Sequence, residues 1–115
     1  MHELSIASAV LDAVRAEAAR HPAARVRTVG LRVGELAGVN GEALRFCLEA
    51  LVRETELSET VMEIMPSPRR HRCRCCQETF AVTDYQCACP SCASAKTDCV
   101  GGEELELAFL ELEEG

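Results

Sequence analysis

The sequence predicts an α+β protein, in which a small mixed β-sheet is packed by two helices and interrupted by an inserted zinc-ribbon-like module. Three observations support this fold class. Two segments carry apolar residues at helical spacing, three others have strand patterns, and two C-x-x-C pairs lie between the last two of these strands. The length of 115 residues allows a modest core plus a metal-stabilised satellite, but not two large domains.

The N-terminal third predicts a helix followed by a strand. Apolar residues recur at steps of three and four from about Leu4 to Arg20, which is typical of an amphipathic helix, and Pro22 favours its end. Between residues 25 and 35, apolar residues alternate with polar or small ones, as in a half-buried strand. Both elements should therefore contribute one face to a shared core.

A second helix is predicted after Asn40, whose side chain can cap its first turn. The apolar residues predicted to share its buried face are Leu44, Cys47, Leu48, Leu51 and Val52. Because Cys47 belongs to this face, it is expected to be a small core residue rather than a metal ligand.

Two further strands complete the predicted sheet. The apolar stretch from Val61 to Met65 should end at the Pro-Ser-Pro segment that follows. From Glu104 to Glu113 acidic and apolar residues alternate, and a phase shift near Phe109 indicates either a bulge or two partly covered faces. Both helices are expected on one face of the sheet. Residues 1–66 plus 101–115 would then form one domain, with a second at 67–100.

The inserted segment carries the strongest metal-site pattern in the chain. Its two C-x-x-C pairs supply four candidate zinc ligands, namely Cys73, Cys76, Cys89 and Cys92. Four thiolates suit a structural Zn(II) site that leaves no position for substrate, although an iron–sulfur cluster would accept the same ligands. Disulfides are disfavoured because the chain shows no export signal and is expected in the reducing cytoplasm. Neighbouring thiols that could compete are Cys75, Cys87 and Cys99.

The amino terminus carries a second set of metal donors. The amine of Met1, together with the amide nitrogen and imidazole of His2, can place three nitrogens in one plane, and Glu3 could add a carboxylate or its amide. Planar nitrogen sets suit Ni(II) or Cu(II) better than tetrahedral Zn(II). Because the amine and amide must lose protons, affinity should rise with pH. The alternative is a solvated terminal histidine.

These features resemble those of the HypA/HybF hydrogenase-maturation nickel metallochaperones, and the likeness spans nearly the whole chain. The motifs that carry it are, in chain order, Met1-His2-Glu3-Leu4 before a helix, Arg32-Val33-Gly34, Phe46-Cys47, the knuckles Cys73 to Cys76 and Cys89 to Cys92, and a terminal Glu-Leu-rich strand. The resemblance implies delivery of Ni(II) cargo to the large subunit of a [NiFe] hydrogenase, in concert with a HypB-like nickel GTPase. In some organisms it also implies support of urease accessory proteins.

By position, the resemblance implies nickel binding by Met1, His2 and Glu3, and zinc binding by the four named cysteines. Family members can carry an acidic residue where this chain has Asn40, so a carboxylate contribution there would be lost or replaced by a weaker amide oxygen. His71 could tune the zinc thiolates, but a surface histidine in a basic loop is the favoured interpretation. The chain could also form a homodimer.

The main alternative function is a zinc-ribbon adaptor that binds nucleic acid. Its basis is the basic loop formed by Arg69, Arg70, Arg72 and Arg74. The formal net charge of −7 opposes binding to phosphates, so a solvated loop without nucleic acid is the preferred interpretation. No phosphate-binding glycine loop or nucleophile motif indicates an enzyme, and no apolar run is long enough to span a membrane.

Overall fold

The structure of the protein is a computed structural model that describes residues 2–114. Within this range the chain forms two helices and six strands. In chain order they are α1 (His2–Ala18), β1 (Ala24–Gly34), α2 (Gly41–Val52), β2 (Val61–Ser67), β3 (Arg70–Cys73), β4 (Thr79–Ala81), β5 (Thr97–Gly101) and β6 (Leu105–Glu114). None of the described helices is long and apolar enough to cross a membrane.

The main sheet contains three strands in the order β2-β1-β6, with β1 parallel to β2 and antiparallel to β6. It is therefore a mixed sheet, and the C-terminal strand returns to it as predicted. The two helices pack with this sheet around an apolar core. Its most buried members are Ala7, Leu11, Val14, Val29, Leu31, Leu44, Leu48, Val52, Leu57 and Met62. The predicted α+β fold class is confirmed.

Helix α2 begins as predicted, because the Asn40 side chain accepts a hydrogen bond from the Ala43 amide at 3.0 Å. Cys47 is half-buried against the core. The prediction for Leu51 is wrong, since 38% of this residue is exposed. Four-residue steps along α2 define the buried line through Leu44, Leu48 and Val52, and Leu51 lies to one side of that line.

Strand β2 does not stop at Pro66 as predicted but continues to Ser67, and Pro66 pairs with Val33. The reason is its position at the edge of the main sheet. The Ser67 carbonyl accepts from the Glu35 amide at 2.8 Å, so the backbone groups of Pro66 point the other way, toward the free edge. A missing N–H there costs the sheet no hydrogen bond.

Strand β6 contains the predicted irregularity. Gly30 pairs with Phe109 and Leu31 with Leu107, so Ala108 is an extra residue in the ladder. This bulge moves Phe109 to the face of the sheet where Gly30 lies, and any Cβ at position 30 would overlap the Phe109 ring. Gly30 therefore provides the space that this aromatic side chain occupies.

The small sheet contains the remaining strands in the order β4-β3-β5, all antiparallel. Two crossings of the chain join it to the main sheet. At the first, the Arg69 amide donates to the Glu35 carboxylate at 2.9 Å, and at the second the Gly102 carbonyl accepts from the Leu36 amide at 2.6 Å. The cysteine-rich segment is thus an insertion before the last strand of the main sheet.

Glu104 holds the second crossing in place. Its carboxylate accepts from the Gly102 amide at 2.6 Å and forms an ion pair with Arg70 at 3.0 Å. Backbone N–H groups of Glu104 and Gly102, supported by Arg70, lower the pKa of the Glu104 carboxyl to about 2. The carboxylate is therefore charged at neutral pH, as this network requires.

Candidate metal centres

The four predicted zinc-ligand cysteines meet in the small-sheet region. The sulfurs of Cys73, Cys76, Cys89 and Cys92 all lie within 4.8 Å of one another. The Cys73 and Cys92 sulfurs are 3.5 Å apart, and those of Cys76 and Cys89 are 3.6 Å apart. These separations are too long for disulfides, whose sulfurs are about 2.05 Å apart. They are close to the roughly 3.8 Å edge of a tetrahedron with Zn–S bonds of about 2.3 Å.

Each pair of cysteines belongs to a tight backbone turn of the same design. In the first turn the Gln77 amide donates to the Cys73 carbonyl at 3.0 Å, and in the second the Ala93 amide donates to the Cys89 carbonyl at 2.8 Å. Gln77 and Ala93 both have positive φ, 66° and 64°. Neither residue is glycine, so both turns hold an L-residue in a conformation that favours glycine.

The electrostatics of the cluster favour a bound cation. The amides of Cys76 and Cys75 donate to the Cys73 sulfur and lower the pKa of that thiol to about 6. The Ser94 amide lowers the pKa of the Cys92 thiol, but the Cys73 sulfur and desolvation outweigh it and raise this pKa to about 12. Four thiolates can coexist in this space only if a positive ion offsets their repulsion. The donor set therefore fits Zn(II).

The three competing cysteines lie outside this cluster in the part of the chain that the structure describes. The Cys75 thiol donates to the Ser94 hydroxyl at 3.3 Å, the Cys87 thiol to the Tyr85 carbonyl at 3.8 Å, and the Cys99 thiol to the Gly101 carbonyl at 3.4 Å. The geometry therefore separates the preferred four sulfurs from the alternatives that the sequence left open.

His71 is not the surface residue that the sequence favoured, because only 5% of it is exposed. Its Nδ1 lies 3.0 Å from the Thr97 hydroxyl, which itself donates to the Cys87 carbonyl at 2.7 Å, so Nδ1–H is the donor. Its Nε2 then accepts from Arg69 Nε at 3.0 Å. Thr97 is a partner that the sequence did not indicate. The sequence did contain an indication of this burial, because His71 and the predicted zinc ligand Cys73 lie on the same face of β3.

The predicted basic loop is instead mainly strand β3, and three of its four arginines have side-chain partners close by in space. Arg69 bonds to His71, Arg70 pairs with Glu104, and Arg74 pairs with Asp98 at 2.6 Å. The carboxylates paired with Arg70 and Arg74 reduce the positive field that a phosphate backbone would meet. The nucleic-acid alternative is therefore not favoured.

At the N-terminal end of the chain, the structure describes two of the three candidate nickel ligands. His2 is the first residue of α1 and is exposed. The half-buried Glu3 carboxylate accepts from the Asn40 amide at 3.2 Å, which lowers the pKa of Glu3. Asn40 thus joins the start of α1 to the start of α2. Met1, the third candidate, lies outside the described residues.

Comparisons with known proteins place this arrangement in a family context. A family model described as hydrogenase/urease nickel incorporation, metallochaperone, hypA matches residues 1–112. The hydrogenase maturation factor HypA of Prosthecochloris aestuarii is 40% identical over 113 residues, which cover 98% of this chain and 100% of that protein. The HypA factor of Dechloromonas aromatica is 37% identical with the same coverage.

Two solved structures share the fold. A solution structure of a HypA protein has a TM-score of 0.71 and 22% sequence identity, and the match covers 98% of this chain and 97% of that one. The solution structure of the Ni metallochaperone HypA from Helicobacter pylori has a TM-score of 0.62, also with 22% identity, and the match covers 98% of each chain. The likeness extends over both sheets and both helices.

Proposed function

This chain belongs to the HypA family of hydrogenase and urease nickel-incorporation metallochaperones, and on that premise we propose that it carries Ni(II) on its amino terminus. The ion would be delivered for [NiFe] hydrogenase maturation, with urease as the alternative destination. In this proposal the Met1 amine, the His2 amide and imidazole, and Glu3 supply the nickel donors. The chain acts by carriage, without turnover.

The observation that carries this proposal is the start of α1 at an exposed His2. The first amides of a helix have no partner within the helix, so the His2 and Glu3 amide nitrogens are free of the helical ladder. The Glu3 carboxylate is already engaged by Asn40, and the Asn40 side-chain oxygen caps α2. The Glu3 amide also bonds to this carboxylate, so Glu3 can supply either group to the ion, and we assign no ligand role to the Asn40 side chain.

The location of these donors is consistent with a site that releases its ion. Donors within the first residues of a chain can leave the metal one at a time, which allows ligand exchange with an acceptor. The amine has an unperturbed pKa of about 7.7 to 8.0 and must be deprotonated to bind. Nickel affinity should therefore increase as pH rises through this range.

We propose a different role for the four clustered cysteines, which would bind a resident Zn(II) ion. Four thiolates complete a tetrahedral shell, so this ion would have no open position for substrate and would stabilise the small sheet. The residues at 67–100 would then form a zinc-binding domain, and residues 1–66 plus 101–115 a nickel-binding domain. A HypB-like nickel GTPase and the hydrogenase large subunit are the partners that we propose.

Isothermal titration calorimetry with Ni(II) at neutral pH tests the nickel proposal. We expect near-stoichiometric binding in the native chain, and loss of this binding in His2→Ala. His21→Ala is the matched control, because His21 is an exposed histidine just beyond the other end of α1 and should be silent. Zinc content is measured in the same samples and should not change.

A variant with one residue added before Met1 gives an independent test. The addition moves the α-amine away from His2 and so breaks the proposed chelate without changing any side chain. Nickel binding as tight as in the native chain, in this variant or in His2→Ala, would refute the terminal site.

A further inference from the structure

The two edges of the main sheet differ in how they are protected. At the β2 edge, the Met62 carbonyl points away from β1, on the same side as the backbone of Pro66, and accepts a hydrogen bond from Arg45 Nη1 at 2.6 Å. Pro66 has no N–H to offer there. An arginine from α2 and a proline thus block this edge against pairing with another strand.

The β6 edge has no such protection within residues 2–114. Strand β6 pairs with β1 on one side only. The Gly34 amide donates to the Glu104 carbonyl at 2.6 Å, so alternation along the strand directs the backbone groups of Leu105 and Leu107 toward the free edge. An unpaired edge with free N–H and C=O groups is a template for strand addition.

A groove of about 530 Å³ lies between this edge and α1. The β6 residues that line it are half-buried and apolar, among them Leu107, Leu110 and Leu112, and Glu17 and His21 lie on the α1 side. An added strand would place alternate side chains against these leucines. The groove therefore suits an extended segment with apolar residues at every second position.

The charge of the edge selects among such segments. The stretch from Gly101 to the end of the chain contains six glutamates and no basic residue. Arg25 pairs with Glu113 and Arg32 with Glu106, but Glu111 and Glu114 form no ion pair with any residue in the described range. A second copy of β6 would bring glutamate opposite glutamate, which is unfavourable across paired strands.

We propose that the free edge of β6 binds an extended basic segment of a partner protein, in which lysine or arginine alternates with apolar residues. The backbone of the segment would pair with Leu105 and Leu107. Its apolar side chains would enter the groove, and its basic side chains would lie on the opposite face, where Glu111 has no ion-pair partner within the described residues. This surface is separate from both proposed metal sites.

Fluorescence anisotropy with a labelled peptide of alternating arginine and valine tests the proposal. We expect saturable binding that weakens with added salt, and no binding of the matched peptide in which glutamate replaces arginine. The variant Glu111→Lys should weaken binding about tenfold or more. Glu49→Lys makes the same change in net charge at an exposed position outside β6 and should shift affinity less than about twofold.

Hydrogen exchange locates the peptide on the protein. The amides of Leu105 and Leu107 should gain protection in the complex, while those of β2 should not. The proposal is overturned if the arginine peptide does not bind, if Glu111→Lys and Glu49→Lys lose affinity equally, or if the added protection falls on β2. It is also overturned if sedimentation shows that copies of the chain occupy this edge themselves.

Discussion

Replacement of Ala93 by glycine should tighten zinc binding, because this residue is exposed and has a φ of 64°. A left-handed conformation costs an L-residue about 1–2 kcal/mol, whereas glycine adopts it without that penalty. Glycine also has greater conformational freedom in the unfolded chain, which destabilises the folded turn by about 0.5–1 kcal/mol and offsets part of this stabilisation. The net expectation is a stabilisation of about 1 kcal/mol in the folded turn.

If folding of the small sheet is coupled to zinc binding, about 1 kcal/mol corresponds to roughly fivefold tighter binding. Competition for zinc against a chromophoric chelator under reducing conditions measures this change directly. Gln77→Gly should act in the same direction, because Gln77 occupies the equivalent place in the first turn with a φ of 66°.

Ala95→Gly is the matched control in the same loop. Ala95 is also exposed, but its φ is not positive, so glycine there only adds freedom to the unfolded chain. This variant should bind zinc roughly two- to fivefold more weakly, a change opposite in sign to that of Ala93→Gly. Equal affinities of the two variants, or weaker binding by Ala93→Gly, would refute the reasoning from backbone strain.

Zinc removal should unfold the small sheet and leave the helices formed. The reason is that the buried apolar residues of the core cluster all belong to the main sheet, the helices and the loop before β2, whereas the small-sheet region buries Val82. Amide hydrogen exchange before and after zinc chelation measures which elements unfold. Gly30→Ala should lower the free energy of unfolding by about 1–3 kcal/mol through overlap with Phe109, and a double-mutant cycle with Phe109→Ala should show strong coupling. Glu104→Gln should destabilise the chain at neutral pH. The depressed pKa of about 2 means that this difference shrinks as pH falls below the usual glutamate range of about 4.5, which denaturation followed by circular dichroism can measure.

The elements that were predicted correctly are those whose pattern reflects a single buried face. The spacing of apolar residues before Pro22 and around Leu48 follows from packing against the main sheet. Asn40 caps α2 through a contact with Ala43, only three residues along the chain. The phase shift near Phe109 also had a local signature, because a bulge changes which residues of β6 share a face.

Apart from the exposed Leu51, the errors concern features set by residues that are distant in the sequence. Pro66 is tolerated in β2 because that strand is at an edge of the sheet. The order of strands in a sheet cannot be predicted from the spacing of apolar residues within one strand. His71 is buried because Thr97, 26 residues away, completes its hydrogen bonds, and Arg70 loses its apparent freedom through Glu104, 34 residues away. The four clustered arginines therefore do not form an open positive surface, although their spacing in the sequence indicated a solvated basic loop.

The contrast between the two proposed metal sites follows from how the chain holds each donor set. Every sulfur of the cysteine cluster belongs to one of two hydrogen-bonded backbone turns, so no cysteine can move away from the cluster unless its turn changes. Exchange at that site therefore requires the turns to open. The described donors, His2 and Glu3, lie in the first turn of α1, where the Glu3 carboxylate contacts the Asn40 amide. An ion there can leave while both sheets stay folded, so the terminal donors suit transfer and the sulfur cluster suits retention.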